Sequence, residues 1–387
     1  MIYSYQEMRG SVDGCCGCLP SAIRRLIAAL CAPVVWIYMS VYLLLFPCIS
    51  VMMGRCFGAL LFQLCGCCGQ YTDKDEAWKD QGGCQDGEMS GFSDAEGRPV
   101  KKTVEWKRAA DILPPRFSLF QDGVTPSDIK QGQLGDCWLM AAFAAAAEFP
   151  SVIKRAFVTG ETNWRGCYSV RLFDPAQKKW VKITVDDRIP CVQGRTGESA
   201  PLFCQPNGGE LWVLLLEKAF AKLCGGYGKL AGGQTTWALQ VLTGDAGYDL
   251  RRNAAGGAWK RIDLEHSPLP GDKRHVTCKI HQEVQVKDMT DDAVYKQLVA
   301  LDGQQTIMCA STSAAAGGGL VGNHAYSLIA TAESGGVRLV VLRNPWGKGE
   351  WKGRWADGDA VWTQHPRLAA KVKAVVSAKR EAAAKQK

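Results

Sequence analysis

The stretch QGQLGDCWLMAAFAAAAEF, residues 131–149, sets one cysteine, Cys137, between a glycine-bearing loop and a run rich in alanine. The run WLMAAFAAAA is a strong helix former. Asp136 reads as its N-cap, so Cys137 falls in the first helical turn. The positive end of a helix lowers a thiol's pKa, so the spacing predicts a thiolate poised for attack. A cysteine in isolation is more often a small buried apolar residue; here its neighbours argue otherwise. Gln131, six residues upstream, offers a carboxamide to a developing oxyanion. Donors of that kind are worth about 2.7–4 kcal/mol in comparable hydrolases.

Two later stretches supply partners: NHAYS at 323–327 and LRNPWGKGEW at 342–351. Residues 324–330 alternate as a strand, 337–342 read as a second, and Glu333-Ser334-Gly335-Gly336 as the turn between them. Pairing about that turn sets residue 324 opposite 344 or 345. His324 and Asn344 then meet at the open end of one hairpin. Asn344 would hold the imidazole's orientation, while His324 takes the thiol proton and returns it to a leaving amine. Cys, His and Asn in that order, with Gln131, suit thiol-based acyl transfer. His266, His275, His281 and His365 lack such a partner and read as surface or loop residues.

The chain's 387 residues suggest two domains and a shorter segment, and 47% apolar residues suffice for real cores. A net charge of +8, with no dense basic block and no zinc-finger or RNA-recognition signature, argues against nucleic acid as a partner. Of 17 cysteines, nine lie between Cys15 and Cys68 and the rest are scattered, which is no disulfide framework and suits a reducing cytosol. There is no internal repeat, P-loop, GxSxG or HExxH.

Residues 1–69 read as a Cys-rich membrane-anchoring segment, 70–103 as a polar Gly- and Asp-rich linker, 104–248 as a first lobe and 249–387 as a second. Residues 26–54 carry no charge and are long enough to span a bilayer. A single span competes with a hairpin turning near Phe46-Pro47-Cys48. Arg24 and Arg25 place the start of the run in the cytosol, and only the hairpin keeps the lobes there too. Cys15, Cys16, Cys18, Cys65, Cys67 and Cys68 flank the apolar region and are candidates for S-palmitoylation; a CxxC metal site is the weaker alternative.

QGxLGDCW, VDDRxP at 185–190, ELWxxLLEKAxAK at 210–222, GGxTT at 232–236, HAYS and RNPWGxxEWxGxW together resemble the catalytic core of the calpain-type cysteine proteases, relatives of papain. The likeness runs from 105 to 357. It implies an α+β, papain-like two-lobed protease core, helical in the first lobe and β-rich in the second, here following an N-terminal apolar membrane segment. It further implies protein substrates and regulatory calcium (Ca2+) in each lobe. The first-lobe ligands would be the Gly123 carbonyl, Asp128 and Glu210; the second-lobe ligands would be Glu350 and Asp357. Trp346 resembles the family's calcium-responsive Trp, and Gly233 the glycine whose backbone pairs with substrate. The sequence names no regulatory subunit.

The chain departs from the family pattern at Asn323, where a glycine usually stands; a side chain there is expected to narrow the substrate channel. It also departs in its basic, Ala-rich end at 367–387, where an acidic loop and closing strands are expected, so the second lobe reads as incomplete. That end reads as a helix lying on membrane or partner, or as a solvated one. The leading expectation is a membrane-associated, calcium-regulated cysteine endopeptidase facing the cytosol. A catalytically silent calpain-like scaffold and transglutaminase-like acyl transfer are the alternatives.

Overall fold

Ten of the eleven residues of the helix Cys137–Ala147 are buried, only Cys137 less so. A helix apolar on every side belongs at the centre of a core, and the rest of the first lobe is built around it. The structure is a computed structural model describing residues 70–74, 86–94, 97–121, 123–193, 197–252, 257–266, 281–314, 316–346 and 349–385. Residues 72–387 form one unit. The apolar run at 26–54 and the six flanking cysteines lie outside the described residues. Within them, no single helix is long and apolar enough to cross a membrane.

The first lobe runs β1 (Gly87–Ser93), β2 (Pro99–Arg108), α1 (Ala109–Ile112), β3 (Ile129–Lys130), α2 (Cys137–Ala147), α3 (Pro150–Ala156), β4 (Cys167–Asp174), β5 (Lys179–Asp186), β6 (Arg188–Gln193), β7 (Ser199–Pro201), β8 (Gln205–Pro206), α4 (Trp212–Cys224) and α5 (Thr235–Thr243). Pro150 opens α3, and the chain bends by 113° between α2 and α3. Gly225, left-handed at φ 92°, closes α4, as glycine does after a helix.

The stretch read as a linker is folded in part. β1 pairs with β2 at the edge of the sheet β1-β2-β6-β7, because Met89 and Phe92 are buried at 1% and 3% exposure. Asp73 also docks: its N–H donates to Asp186 Oδ2 at 2.9 Å, and Lys222 Nζ donates to its carboxylate. The VDDRxP and LLEKAxAK motifs meet in this network. Lys218 of α4, fully buried, pairs with Asp186 and donates to the Arg188 carbonyl beneath the Trp106 ring. Burial pushes the Asp186 carboxyl up, but Lys218, the Asp73 N–H and Arg188 together outweigh it and hold the pKa below the usual carboxylate range.

The second lobe holds β9 (Tyr248–Arg251), β10 (Trp259–His266), β11 (His281–Met289), α6 (Asp291–Gly303), β12 (Met308–Ser311), β13 (Ala325–Ser334), β14 (Val337–Arg343), α7 (Val361–Gln364) and α8 (Pro366–Lys385). Its sheets are ordered β11-β10-β9 and β12-β13-β14. The β13–β14 hairpin turns on Gly335 and Gly336 alone, at φ 58° and 75°, the signs a two-residue type I′ turn requires. Ser334 pairs with Val337, and the register shifts at Ile329. The pairing expected for residue 324, opposite 344 or 345, is corrected by one or two positions, for the shorter turn and the bulge put 326 in line with 344 and 324 in line with 346. The C-terminal helix α8 packs along β13: Leu368 is buried and Lys371 Nζ donates to the Glu333 carbonyl.

The two lobes meet through the elements that carry the candidate residues. α2 packs on β13 and β12. Ser327 Oγ and Cys309 Sγ both reach the Ala141 carbonyl, at 3.1 and 3.8 Å. Arg343 at the end of β14 pairs with Glu148 at the end of α2.

Candidate active site

The loop before α2 is shaped by close backbone approach. A Cβ on Gly135 would lie 2.6 Å from the Asp94 carbonyl oxygen, and one on Gly132 would fall 1.6 Å from that of Phe203. Gly232 N–H donates to the Gly135 carbonyl at 2.9 Å, and Trp138 Nε1 donates to Leu230 O at 2.8 Å. The segment bearing Gly233 is thereby clamped beside Cys137. Gly233 itself faces the Trp138 ring, which a Cβ would meet at 2.4 Å. Both lobes line a cleft of about 1160 Å³ that includes Cys137, Gly233, Asn323 and His324.

Cys137 Sγ makes its hydrogen bond with the Asn323 carbonyl at 4.0 Å, and the Ala325 N–H also faces the sulfur. The thiol thus rests against the backbone on either side of His324 rather than on the imidazole. Burial pushes its pKa up and the Asp136 charge adds to this. The N–H groups of Ala325, Trp138 and Cys137 oppose the rise without cancelling it. The expected lowering by the helix end is therefore corrected, because desolvation exceeds the pull of the helix N–H groups. Asp136 occupies the N-cap position, but its side chain accepts no capping hydrogen bond.

His324 is 2% exposed. Its Nε2 lies 2.9 Å from Asn344 Oδ1, which also accepts the Trp346 N–H at 3.1 Å. The carboxamide oxygen fixes Nε2 as the protonated nitrogen and leaves Nδ1 available to the thiol. The Trp346 ring packs 4.4 Å from the imidazole, and Tyr326 stands edge-on at 4.9 Å. Burial lowers the imidazole's pKa, with Asn344 opposing. Thiol and imidazole are thus both held toward their neutral forms.

Gln131 reaches across the cleft. Its Oε1 accepts from Trp346 Nε1 at 2.6 Å and its Nε2 donates to Leu134 O at 2.8 Å. A carboxamide nitrogen has two hydrogens, so one remains for a substrate oxygen. Trp346→Phe keeps a ring against His324 but removes the indole donor. Given the usual worth of one hydrogen bond, kcat/KM on a peptide is expected to fall by about two- to tenfold; an unchanged value would show that the link does not hold Gln131 in place.

Asn323 adopts φ 49°, the left-handed region that asparagine tolerates better than most residues. It can thus replace a glycine without refolding the loop.

Gly123, Asp128 and Glu210 lie on two loops running side by side, with Asn207 N–H bound to Asp128 O at 3.1 Å. Asp128 and Glu210 are 7% and 4% exposed. Asp128 accepts from Thr125 N at 2.8 Å and Trp212 Nε1 at 3.2 Å, and Glu210 from Gln121 N at 2.9 Å. Buried hard oxygens of these kinds fit calcium in character. Glu350 and Asp357 are both exposed. Among the described residues no three or more His, Cys, Asp or Glu side chains cluster as for a metal ion.

Residue reasoning missed Glu217. Its carboxyl is 2% exposed and meets that of Asp136, itself 1% exposed. Nothing in the linear spacing of residues 136 and 217 signals this contact.

A thiol at a helix N-terminus, lining one cleft with an imidazole that a carboxamide of a second lobe orients, defines the class of papain-like cysteine proteases. The family model for calpain family cysteine protease matches residues 86–382. Calpain-type cysteine protease DEK1 of Arabidopsis thaliana is 33% identical over 324 residues, covering 80% of this chain and 13% of its own. The calpain-1 catalytic subunit of Rattus norvegicus is 33% identical over 271 residues (67% and 33%), and calpain-5 of Mus musculus 32% over 285 (67% and 40%). The chain belongs to the calpain family of cysteine proteases. It spans a minor part of each of these relatives' lengths.

Proposed function

We propose that the chain is a calcium-regulated cysteine endopeptidase making limited cuts in cytosolic or membrane-proximal proteins. One observation carries the reading: His324, held by Asn344, lies in one cleft with Cys137. His324 Nδ1 takes the Cys137 proton as the sulfur attacks the peptide carbonyl. The tetrahedral oxyanion rests on the Gln131 amide and the Cys137 backbone N–H. As the C–N bond breaks, the imidazolium protonates the leaving amine. Water then attacks the thioester, giving its proton to His324; the C–S bond breaks, the acid leaves and the thiol is re-protonated. Calcium, when bound, would draw Asp128, Glu210 and the Gly123 carbonyl together and so align the lobes. Its second-lobe ligands would be Glu350 and Asp357.

Residues 1–69 would tether the protease to a membrane with the lobes on the cytosolic side, the six flanking cysteines serving as acylation sites. Gly233 would pair with the substrate backbone. The thiol's hydrogen bond to Asn323 O, rather than to the ring, favours a second reading: a silent calpain-like scaffold. A fluorogenic peptide assay separates the two. Wild type is expected to show calcium-stimulated cleavage that Cys137→Ala lacks. Equal signal from both proteins at every calcium concentration would rule out the peptidase.

A further inference from the structure

The residue before the nucleophile carries a carboxyl that the mechanism above does not use. Asp136 and Glu217 are 1% and 2% exposed. Glu217, on α4, accepts the Cys204 N–H at Oε1 at 3.0 Å, and its carboxyl meets that of Asp136. Asp136 Oδ2 is buried with no hydrogen-bond partner. The titratable groups facing the pair are Cys137 on α2, Cys204 after β7, and the two carboxyls themselves. No Lys, Arg or His pairs with either acid among the described residues; Lys218, next to Glu217, is engaged with Asp186. Two touching carboxyls with no cation and no water access cannot both ionise. One proton must lie between them, and the groups titrate as a pair.

We propose that Asp136 and Glu217 form a one-proton carboxyl pair that ties the N-terminus of α2 to α4, positions Cys137, and holds a single negative charge beside its sulfur. Both are positioning residues. The bearing on catalysis rests on the peptidase reading above; the shared proton and its effect on the sulfur do not. The charge disfavours the thiolate. Burial pushes Asp136 up to about 7, and burial together with the Asp136 charge pushes Glu217 well above the usual carboxylate range, so the charge fades as the pH drops below neutrality. The folded chain therefore holds protons that the unfolded chain releases. The pair's contribution to stability is greatest in acid and declines as pH rises above about 4, through the ionisation of Asp136 at about 7 and on until the shared proton is lost.

Two measurements read the pair without peptide cleavage. Infrared spectroscopy at neutral pH should show the carbonyl stretch of a protonated buried carboxyl in wild type. It should be lost in Glu217→Gln, whose amide keeps the bond to Cys204 N–H and donates to Asp136 in place of the acid proton. Alkylation of Cys137 by iodoacetamide, followed by peptide mass spectrometry across pH, reads the charge. Asp136→Asn removes it and should lower the thiol's midpoint by about half to one pH unit, a three- to tenfold faster reaction at pH 8; Glu217→Gln should lower it not at all. Absence of the protonated-carboxyl band, or superimposable alkylation profiles for wild type and Asp136→Asn, would overturn the proposal. Should Asp136→Asn fail to fold, the infrared comparison of wild type with Glu217→Gln decides alone. A band that is present in a protein inactive at every calcium level would leave the pair standing and remove the peptidase.

Discussion

His324→Ala is expected to lower kcat by about a million-fold, to the level of Cys137→Ala, and the double variant to lose no more than either single one. Groups that act as a unit in hydrolysis behave in this non-additive way. In the proposed mechanism the imidazole is the thiol's base, and among the described residues no other histidine lines the cleft. Asn344→Ala should cost less, on the order of 10⁴-fold, because it disturbs the ring's orientation without removing the base. It also releases the Trp346 N–H from Asn344 Oδ1. The pH profile has a predictable sign. The His324 pKa lies below its ordinary value of 6.5, so the neutral base persists and the acid limb of kcat/KM falls below that pH. The Cys137 pKa lies above its ordinary 9.0, so the thiol stays protonated through neutrality. A plateau broader than the interval between those two values is the expected result for this neutral pair. Single-turnover assays on the three variants, with alkylation confirming that Cys137 in His324→Ala is still accessible, check the first claim. Residual turnover above about one per cent in His324→Ala would exclude this base.

The candidate site was legible where its chemistry is local. QGQLGDCW reveals a loop, a helix start and a thiol within eight residues, and α2 begins at Cys137 as read. What the sequence hid depends on contacts distant along the chain. β1 rests on two buried side chains among glycines and polar residues, too few to show a period of two. The hairpin register turned on whether Ser334 belonged to the turn or to the strand, and only the pairing Ser334–Val337 decides that. The sign of the Cys137 shift was misread because a helix end can be inferred from neighbours in sequence, whereas desolvation by a second lobe cannot. The Asp136–Glu217 contact was invisible for the same reason. Asp136 read as an ordinary N-cap, and only the approach of α4 turns its carboxyl elsewhere.

Gly132→Ala should be the most damaging conservative change in the molecule. Its added Cβ would sit 1.6 Å from Phe203 O, 2.4 Å from Phe203 C and 2.8 Å from Leu202 O. All three are backbone atoms, so no rotamer change relieves the overlap. The backbone they belong to is committed elsewhere: Leu202 O accepts the Gln133 N–H at 3.1 Å, and Leu202 N–H is bound to Pro190 O at 2.9 Å. Phe203 is 2% exposed and stacked on Tyr227 at 4.4 Å. Accommodating a methyl group means parting residues 131–135 from this wall. That displaces Gln131 from Trp346 and shifts the start of α2, so stability and activity fail together. The loss is expected to exceed about 4 kcal/mol, the range reserved for changes with a specific steric cause. Gly160→Ala is the control, since a Cβ there meets nothing within 4 Å and φ is ordinary. Denaturant unfolding of both variants beside wild type checks the contrast. A Gly132→Ala protein within about 1 kcal/mol of wild type would mean that the loop and the 202–203 backbone are not in contact in the folded chain.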